Sequence, residues 1–561
     1  MTQTWVCAAA FLSLQLAASS PAPAVLAIVH GRAVRLGGSD PVAHARITLA
    51  KVGGPLADYR AAVADESGVF AFRDLTPGVY RIYADRDGYL QAEYGRRAVS
   101  PAGTRITLAA GQTLSDVVVA MTPTAVIAGH VFDRGRPVRR VVVRALKQQY
   151  SEGRRLLAVT GYAETDDRGE YRISGLAPGF YLVSATPKVT PFLENGNIVF
   201  PVPPSNANNN QGRVTVVLSP ETLDPAVFDP EVMPTVFYPG TPDTAAAAPI
   251  NVRAGDVVAA IDLALMHVSS FHVRGRIATD GTAPPVRVQL RAAESGPAVQ
   301  IPGTDVRVDA TFDLSRVPPG RYLLFAQTVD QSPQRMMTTV PVTVTDRDVE
   351  DVSVAFQPNV TIGGHLTVDG QPFAGGVPVP IVQLQSATAG GYTALRYDTD
   401  GGFTLPNVAP GDYRFRVVVQ NRPLYLESAR FGDDDVMDRM LTVSGSTAGR
   451  ELDVRLSSKT GTLDAVAMDR ESRPAGGLLV IVVPDLARRG RSQLYKTATT
   501  DDRGRAHLDG LAPGEYRVFA TADVEASAWQ DPDVLRLYEG RGELVTVRPG
   551  ATLAVTLRIT P

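Results

Sequence analysis

"DESGVFAFRDLTPGVYRIYADRDGYL", residues 65–90, is the stretch whose reading decides the fold. Apolar and polar residues alternate through Phe70 and Phe72, break at Pro77-Gly78, then alternate again through Tyr80, Ile82 and Ala84. A period of two belongs to a strand with one buried face. The stretch therefore reads as two strands meeting at a corner. Asp65 opens a tight turn and Gly68 takes its left-handed position, so a short hairpin loop precedes the first strand. Pro77 presets φ, and Gly78 supplies the positive φ of a type II turn. Leu75 is an apolar plug just before that turn. The Tyr80 ring packs inward, and its hydroxyl is expected to bond backbone near the corner.

The same phrase returns at 168–185, 309–326, 400–417 and 503–520, with Pro-Gly corners at Gly78, Gly179, Gly320, Gly411 and Gly514. The spacing is on the order of 100 residues, a domain period rather than a solenoid period. Each corner has its tyrosine: Tyr80, Tyr181, Tyr322, Tyr413 and Tyr516. Five scattered tyrosines suit packing far better than catalysis. The acidic turn recurs as "DDRG" (166–169), "DTDG" (398–401) and "DDRG" (501–504). Asp398 and Asp400 alternate as calcium ligands do, but the remaining ligands and the terminal Glu are missing, so a plain turn is expected.

Every unit opens and closes alike. Openings are "VHGRAV" (29–34), "IAGHVFD" (127–133), "VRGRIATDG" (273–281), "IGGHLTVDG" (362–370) and "LDAVAMD" (463–469); the closings are alternating strands ending near 121, 265, 356, 456 and 559. About seven strands per unit is the scale of a β-sandwich. The expected architecture is all-β, a tandem array of five β-sandwich domains at 28–122, 123–265, 266–357, 358–456 and 457–561, the second with a long insertion at 186–250. Short linkers such as "TPT" (122–124) and "QPN" (357–359) predict units placed end to end.

Composition agrees. A chain of 561 residues exceeds one core, and 44% hydrophobic with 20% charged content suits folded domains. A net charge of -3 gives no electrostatic case for nucleic acid. "WVCAAAFLSLQLAA" (5–18) reads as the apolar core of a signal peptide spanning 1–27, cleaved after Ala24 or Ala27, which implies export to the periplasm, outer-membrane surface or extracellular space. Polar residues and prolines cut that run below the length of a membrane span, so stable membrane insertion is not expected. Cys7, the sole cysteine, leaves with the leader, and the exported chain then has no thiol chemistry.

The opening G-x-V, the D-x-x-G-x-F hairpin and L-x-P-G-x-Y together resemble the carboxypeptidase regulatory-like domain, a transthyretin-like or immunoglobulin-like β-sandwich related to Cna protein B-type repeats and to carbohydrate-binding-like folds. The first unit carries the pattern most fully, including Gly88-Tyr89 in "DRDGYL" (85–90). The resemblance implies an accessory module of secreted and envelope proteins rather than a catalyst. Fold analogy by itself assigns no activity.

Catalytic vocabulary is sparse. The seven histidines form no H-E-x-x-H, and His30, His130, His272 and His365 fall in the opening strands of four different units. His267 and His272 have no Cys, Asp or Glu close to them in sequence. There is no G-x-S-x-G elbow and no phosphate-binding loop. No catalytic residue, metal site or cofactor is therefore expected. The run "GDDDVMD" (432–438) reads as a solvated loop, with weak calcium binding as its alternative. An isopeptide crosslink needs a lysine beside Asn or Asp, and the chain has only Lys51, Lys147, Lys188, Lys459 and Lys496.

Binding belongs where units depart from the repeat. The insertion carries Phe192, Phe200, Phe228, Phe237 and Tyr238, either a surface for sugars or peptides or a staple onto its own sandwich. The stretch 527–543 is the best short helix candidate, with Trp529 and Tyr538 as a second sugar-contact pair. The sequence thus points to a secreted, non-enzymatic spacer or binding scaffold of the bacterial cell envelope, contacting polysaccharide or envelope proteins. Its alternatives are an accessory subunit of a separate peptidase or glycosidase, and a docking partner of an outer-membrane transporter.

Overall fold

A computed structural model describes residues 26–53, 59–96, 103–151, 153–187, 192–194, 197–201, 213–216, 231–278, 285–293, 304–329, 336–373, 379–386, 396–397, 401–419, 423–522, 524–525, 527–538 and 540–560. Residues 1–25 of the leader, the "DTDG" aspartates Asp398 and Asp400, and Phe228 lie outside them.

In the first unit the opening strand Ala27–Arg35 pairs antiparallel with Val69–Leu75 and parallel with the closing strand Thr113–Met121. The facing sheet places Arg46–Lys51 between Tyr59–Val63 and the return strand Gly78–Asp85. First and last strands are thus neighbours, and each unit closes on its own ends. The plan recurs. The opening strands Ala125–Asp133, Phe271–Ala278, Val360–Val368 and Gly461–Met468 each pair antiparallel with the strand before the corner and parallel with the closing strand.

The alternation places side chains as the sequence predicts. Phe70, Phe72, Tyr80, Ile82 and Ala84 are all buried, and so are their counterparts in the other four units. Each corner tyrosine belongs to a different apolar cluster of the described residues. Full burial of one such ring is worth roughly 1.5–3 kcal/mol.

Two backbone features complete the plan. The antiparallel pairing slips just before every corner. At that slip Asp74, Gly175, Arg316, Asn407 and Gly510 adopt left-handed φ of 57°, 76°, 60°, 58° and 68°. A bulge of this kind re-aims the next side chain, which is why Leu75, Leu176, Val317, Val408 and Leu511 plug the core at 2% exposure or less. The second feature is the glycine of the opening strand. A Cβ on Gly275 would stand 2.1 Å from the Val352 carbonyl oxygen and 2.6 Å from Phe312 Cζ. Gly31, Gly129 and Gly364 are hemmed in the same way.

The units do not simply run end to end. The fifth returns onto the second, where Arg155 meets Asp531 and Asp533. It also reaches the first: a Cβ on Gly477 would lie 2.7 Å from the Gly95 carbonyl oxygen. It holds the fourth through Arg491 Nε and Asp438 Oδ1 at 2.7 Å. Short linkers limit reach without fixing direction, and these contacts fold the array back on itself.

Candidate functional site

The feature common to all units is the corner. Every corner tyrosine donates its hydroxyl to the carbonyl oxygen four residues earlier: Tyr80 to Thr76 at 2.7 Å, Tyr181 to Ala177 at 2.6 Å, Tyr322 to Pro318 at 2.8 Å, Tyr413 to Ala409 at 2.7 Å and Tyr516 to Ala512 at 2.9 Å. The expected partner near the turn is therefore found. Burial raises the pKa of Tyr181, Tyr413 and Tyr516, and pushes Tyr322 up to about 12. These phenols are structural donors rather than proton shuttles at neutral pH.

The turn itself differs from the type II expectation. Gly78, Gly179, Gly411 and Gly514 have φ of 155°, 147°, 149° and 142°, well beyond the value near +80° of that turn. The tyrosine hydroxyl fixes the carbonyl ahead of the proline, and glycine starts the return strand directly. A cation crosses the bare glycine in three units. Lys51 Nζ sits 5.9 Å from the Tyr80 ring centre and 2.8 Å from Thr76 Oγ1. Lys147 Nζ donates to Pro178 O at 3.3 Å. Arg488 lies 5.1 Å above the Tyr516 ring and donates to Pro513 O at 3.0 Å. Sequence reading misses these cations, which come from a strand or turn far from the corner in sequence.

The three acidic turns at Asp65, Asp166 and Asp501 are plain turns; the calcium alternative weighed for "DTDG" falls on aspartates outside the described residues. Asp65 Oδ1 accepts from the backbone N–H of Ser67 and of Val69, both at 2.9 Å. Asp166 and Asp501 repeat this with distances of 2.8–2.9 Å. Hydrogen bonds from Ser67 and Val69 lower the Asp65 pKa. In each of these three turns one carboxylate oxygen, Oδ1, is committed to two backbone N–H groups. In the 432–438 run, Asp434 Oδ2 pairs with Arg450 at 2.7 Å, Asp438 pairs with Arg491, and Asp435 Oδ1 accepts from Met437 N at 2.8 Å.

The histidines are placed apart, with carboxylates brought from neighbouring strands. His130 Nδ1 lies 3.2 Å from Asp262, His272 Nδ1 2.7 Å from Asp313, and His507 Nδ1 2.7 Å from Asp464. His267 sits between Asp133 at 2.8 Å and Glu231 at 3.3 Å. Sequence proximity gave His267 and His272 no acidic neighbour; the fold supplies two to His267 and one, Asp313, to His272. Among the described residues no group of three His, Cys, Asp or Glu is arranged to hold a metal ion, and no helix is long and apolar enough to cross a membrane.

The aromatic candidates are distributed as follows. Phe192 and Phe200 lie on short strands whose side chains are outside the described residues. Phe237 is buried beside the return strand of the second unit, and Tyr238 packs partly against the same core. Trp529 and Tyr538 are each 9% exposed. They flank a helical turn, Pro532–Arg536, which covers the outer face of the sheet containing Leu479–Pro484 and Gly514–Thr521. Tyr538 stacks on Phe519 with centroids 5.3 Å apart and planes 7° apart. "LLVIVVP" (478–484) carries the signal that finds this second layer. A run without alternation is a strand covered on both faces.

Comparison with known proteins places one unit in a family. One curated relative, colossin-A of Dictyostelium discoideum, is 22% identical over 277 residues, which is 44% of this chain but 2% of that protein, so the match spans a small fraction of the relative's length. Among solved structures, the Bacillus anthracis TIE protein is 9% identical with a TM-score of 0.16, covering 59% of this chain and 51% of that one. The minor pilin of Streptococcus agalactiae is 11% identical with a TM-score of 0.21, covering 42% and 94%. The major pilin subunit of Bacillus cereus is 10% identical with a TM-score of 0.16, covering 59% and 99%. The fold assignment stands on the strand register above. A family model matches residues 28–122, the unit with the fullest motif, and identifies that unit as a carboxypeptidase regulatory-like domain.

Proposed function

We propose that this chain is a non-enzymatic scaffold of five β-sandwich modules, with the unit boundaries given above, working in the cell envelope. One observation carries the reading. The polar group that recurs in every unit, the corner tyrosine hydroxyl, is bonded in each to backbone of its own unit. Its repetition maintains a shape. In this reading the leader exports the chain, and the departures from the repeat contact polysaccharide or envelope proteins. The inserted segment with Phe192 and Phe200 is the favoured contact, because Phe237, Trp529 and Tyr538 are spent on packing.

The test is a glycan array and a hydrolase panel run on the full chain. Retention on a polysaccharide, reduced at least severalfold by Phe192→Ala with Phe200→Ala, and no turnover of peptide or glycan substrates, is the expected result. Substrate turnover by the purified chain would overturn the non-enzymatic reading. Binding unaffected by both substitutions would remove the insertion from it.

A further inference from the structure

The second unit carries a long hairpin, Val141–Ser151 with Arg154–Glu164, whose base pairs with the return strand through Lys147 and whose outer end runs past it as an arm, and the fifth carries an outer layer, Ala528–Gln530 and Pro532–Arg536. The two meet. Arg155 Nε donates to Asp531 Oδ2 at 2.8 Å, and its Nη2 donates to Asp531 Oδ1 at 3.2 Å and Asp533 Oδ2 at 2.7 Å. Asp531 is 5% exposed. It also caps the helical turn, accepting from Asp533 N at 2.8 Å. Lys147 Nζ stands 3.9 Å from Glu525 Oε1, and Tyr150 packs against the cluster that holds Trp529. At the arm's tip a Cβ on Gly153 would lie 2.8 Å from the Gln530 carbonyl oxygen.

We infer that this arm is a clasp: it reversibly holds the folded-back form of the chain, with Arg155 as its latch. Three observations support a contact that opens. The two units have separate cores. The contact joins residues far apart in sequence through charged side chains, and polar contacts between domains default to relative motion. Arg155 remains 47% exposed, so water competes for it. A bidentate guanidinium–carboxylate pair supplies direction as well as attraction. Removing Arg155 strands a nearly buried carboxylate, so the open form gains.

The test uses the full chain with Cys7→Ser, which leaves no other cysteine. Lys147→Cys with Glu525→Cys, treated with a short bismaleimide, is expected to give an intrachain crosslink; no crosslink would overturn the closed form. Separately, Ala528→Cys, 3% exposed in the closed form, reports opening through its maleimide labelling rate. Arg155→Ala is expected to raise that rate about tenfold, the loss of one charge-assisted hydrogen-bonded pair. An unchanged rate, with the crosslink still forming, would overturn Arg155 as the latch.

Discussion

At the scale of the residue, the corner tyrosine is the clearest case of a side chain read correctly from sequence. Its ring had to be buried and its hydroxyl had to find backbone. Tyr322→Phe keeps the ring and removes the bond to Pro318 O, so it is expected to cost about 1 kcal/mol in a denaturant titration. The phenol also sets an alkaline limit. Burial pushes Tyr322 up to about 12 from its ordinary value of 10.0. The unfolded chain therefore releases this proton first. Stability is full below about pH 10 and falls as pH rises toward 12. Melting temperature followed across that window should decline, with a smaller decline in Tyr322→Phe; a flat profile would contradict the assignment. The cations over the corner glycines were not legible, because nothing near Pro77, Pro178 or Pro513 announces Lys51, Lys147 or Arg488.

At the scale of the element, alternation fixed which residues face inward, and the D-x-x-G turns fixed the hairpins. Two local features escaped. The bulge before each corner is written as Asp74, Gly175, Asn407 and Gly510, residue types that tolerate left-handed φ, but Arg316 breaks the pattern. The opening-strand glycine reads as an ordinary G-x-V motif until the closing strand is seen lying against it. Gly275→Ala is expected to destabilise the third unit by roughly 1–3 kcal/mol, because the added methyl meets the Val352 carbonyl oxygen at 2.1 Å. Urea unfolding monitored by hydrogen exchange should show the loss in Phe271–Ala278 and Val349–Ala355. Unchanged protection there would contradict the close approach of the Val352 carbonyl oxygen to Gly275. The continuous apolar strand Leu479–Pro484 is the element whose signal was present and went unused; its second covered face is what hides Trp529 and Tyr538.

At the scale of the whole molecule, repetition gave the number of corners but not their mutual placement. A period of about 100 residues says that each unit can close alone. It is silent on a contact between Arg155 and Asp531, which joins residues 376 positions apart. Charged residues on surfaces look alike in sequence whether they face water or another module. The fold-back was therefore invisible, and the end-to-end expectation followed from linker length alone.

The central claim is that each Pro-Gly corner closes its own two-layered sandwich. Hydrogen exchange with mass spectrometry on the full chain, across a urea series, tests it most directly. The opening and closing strands of one unit should lose protection together, and Tyr322→Phe should lower the midpoint of the third unit while leaving the first and fourth where they were. A single shared midpoint for all five units, moved as one by that substitution, would contradict the account.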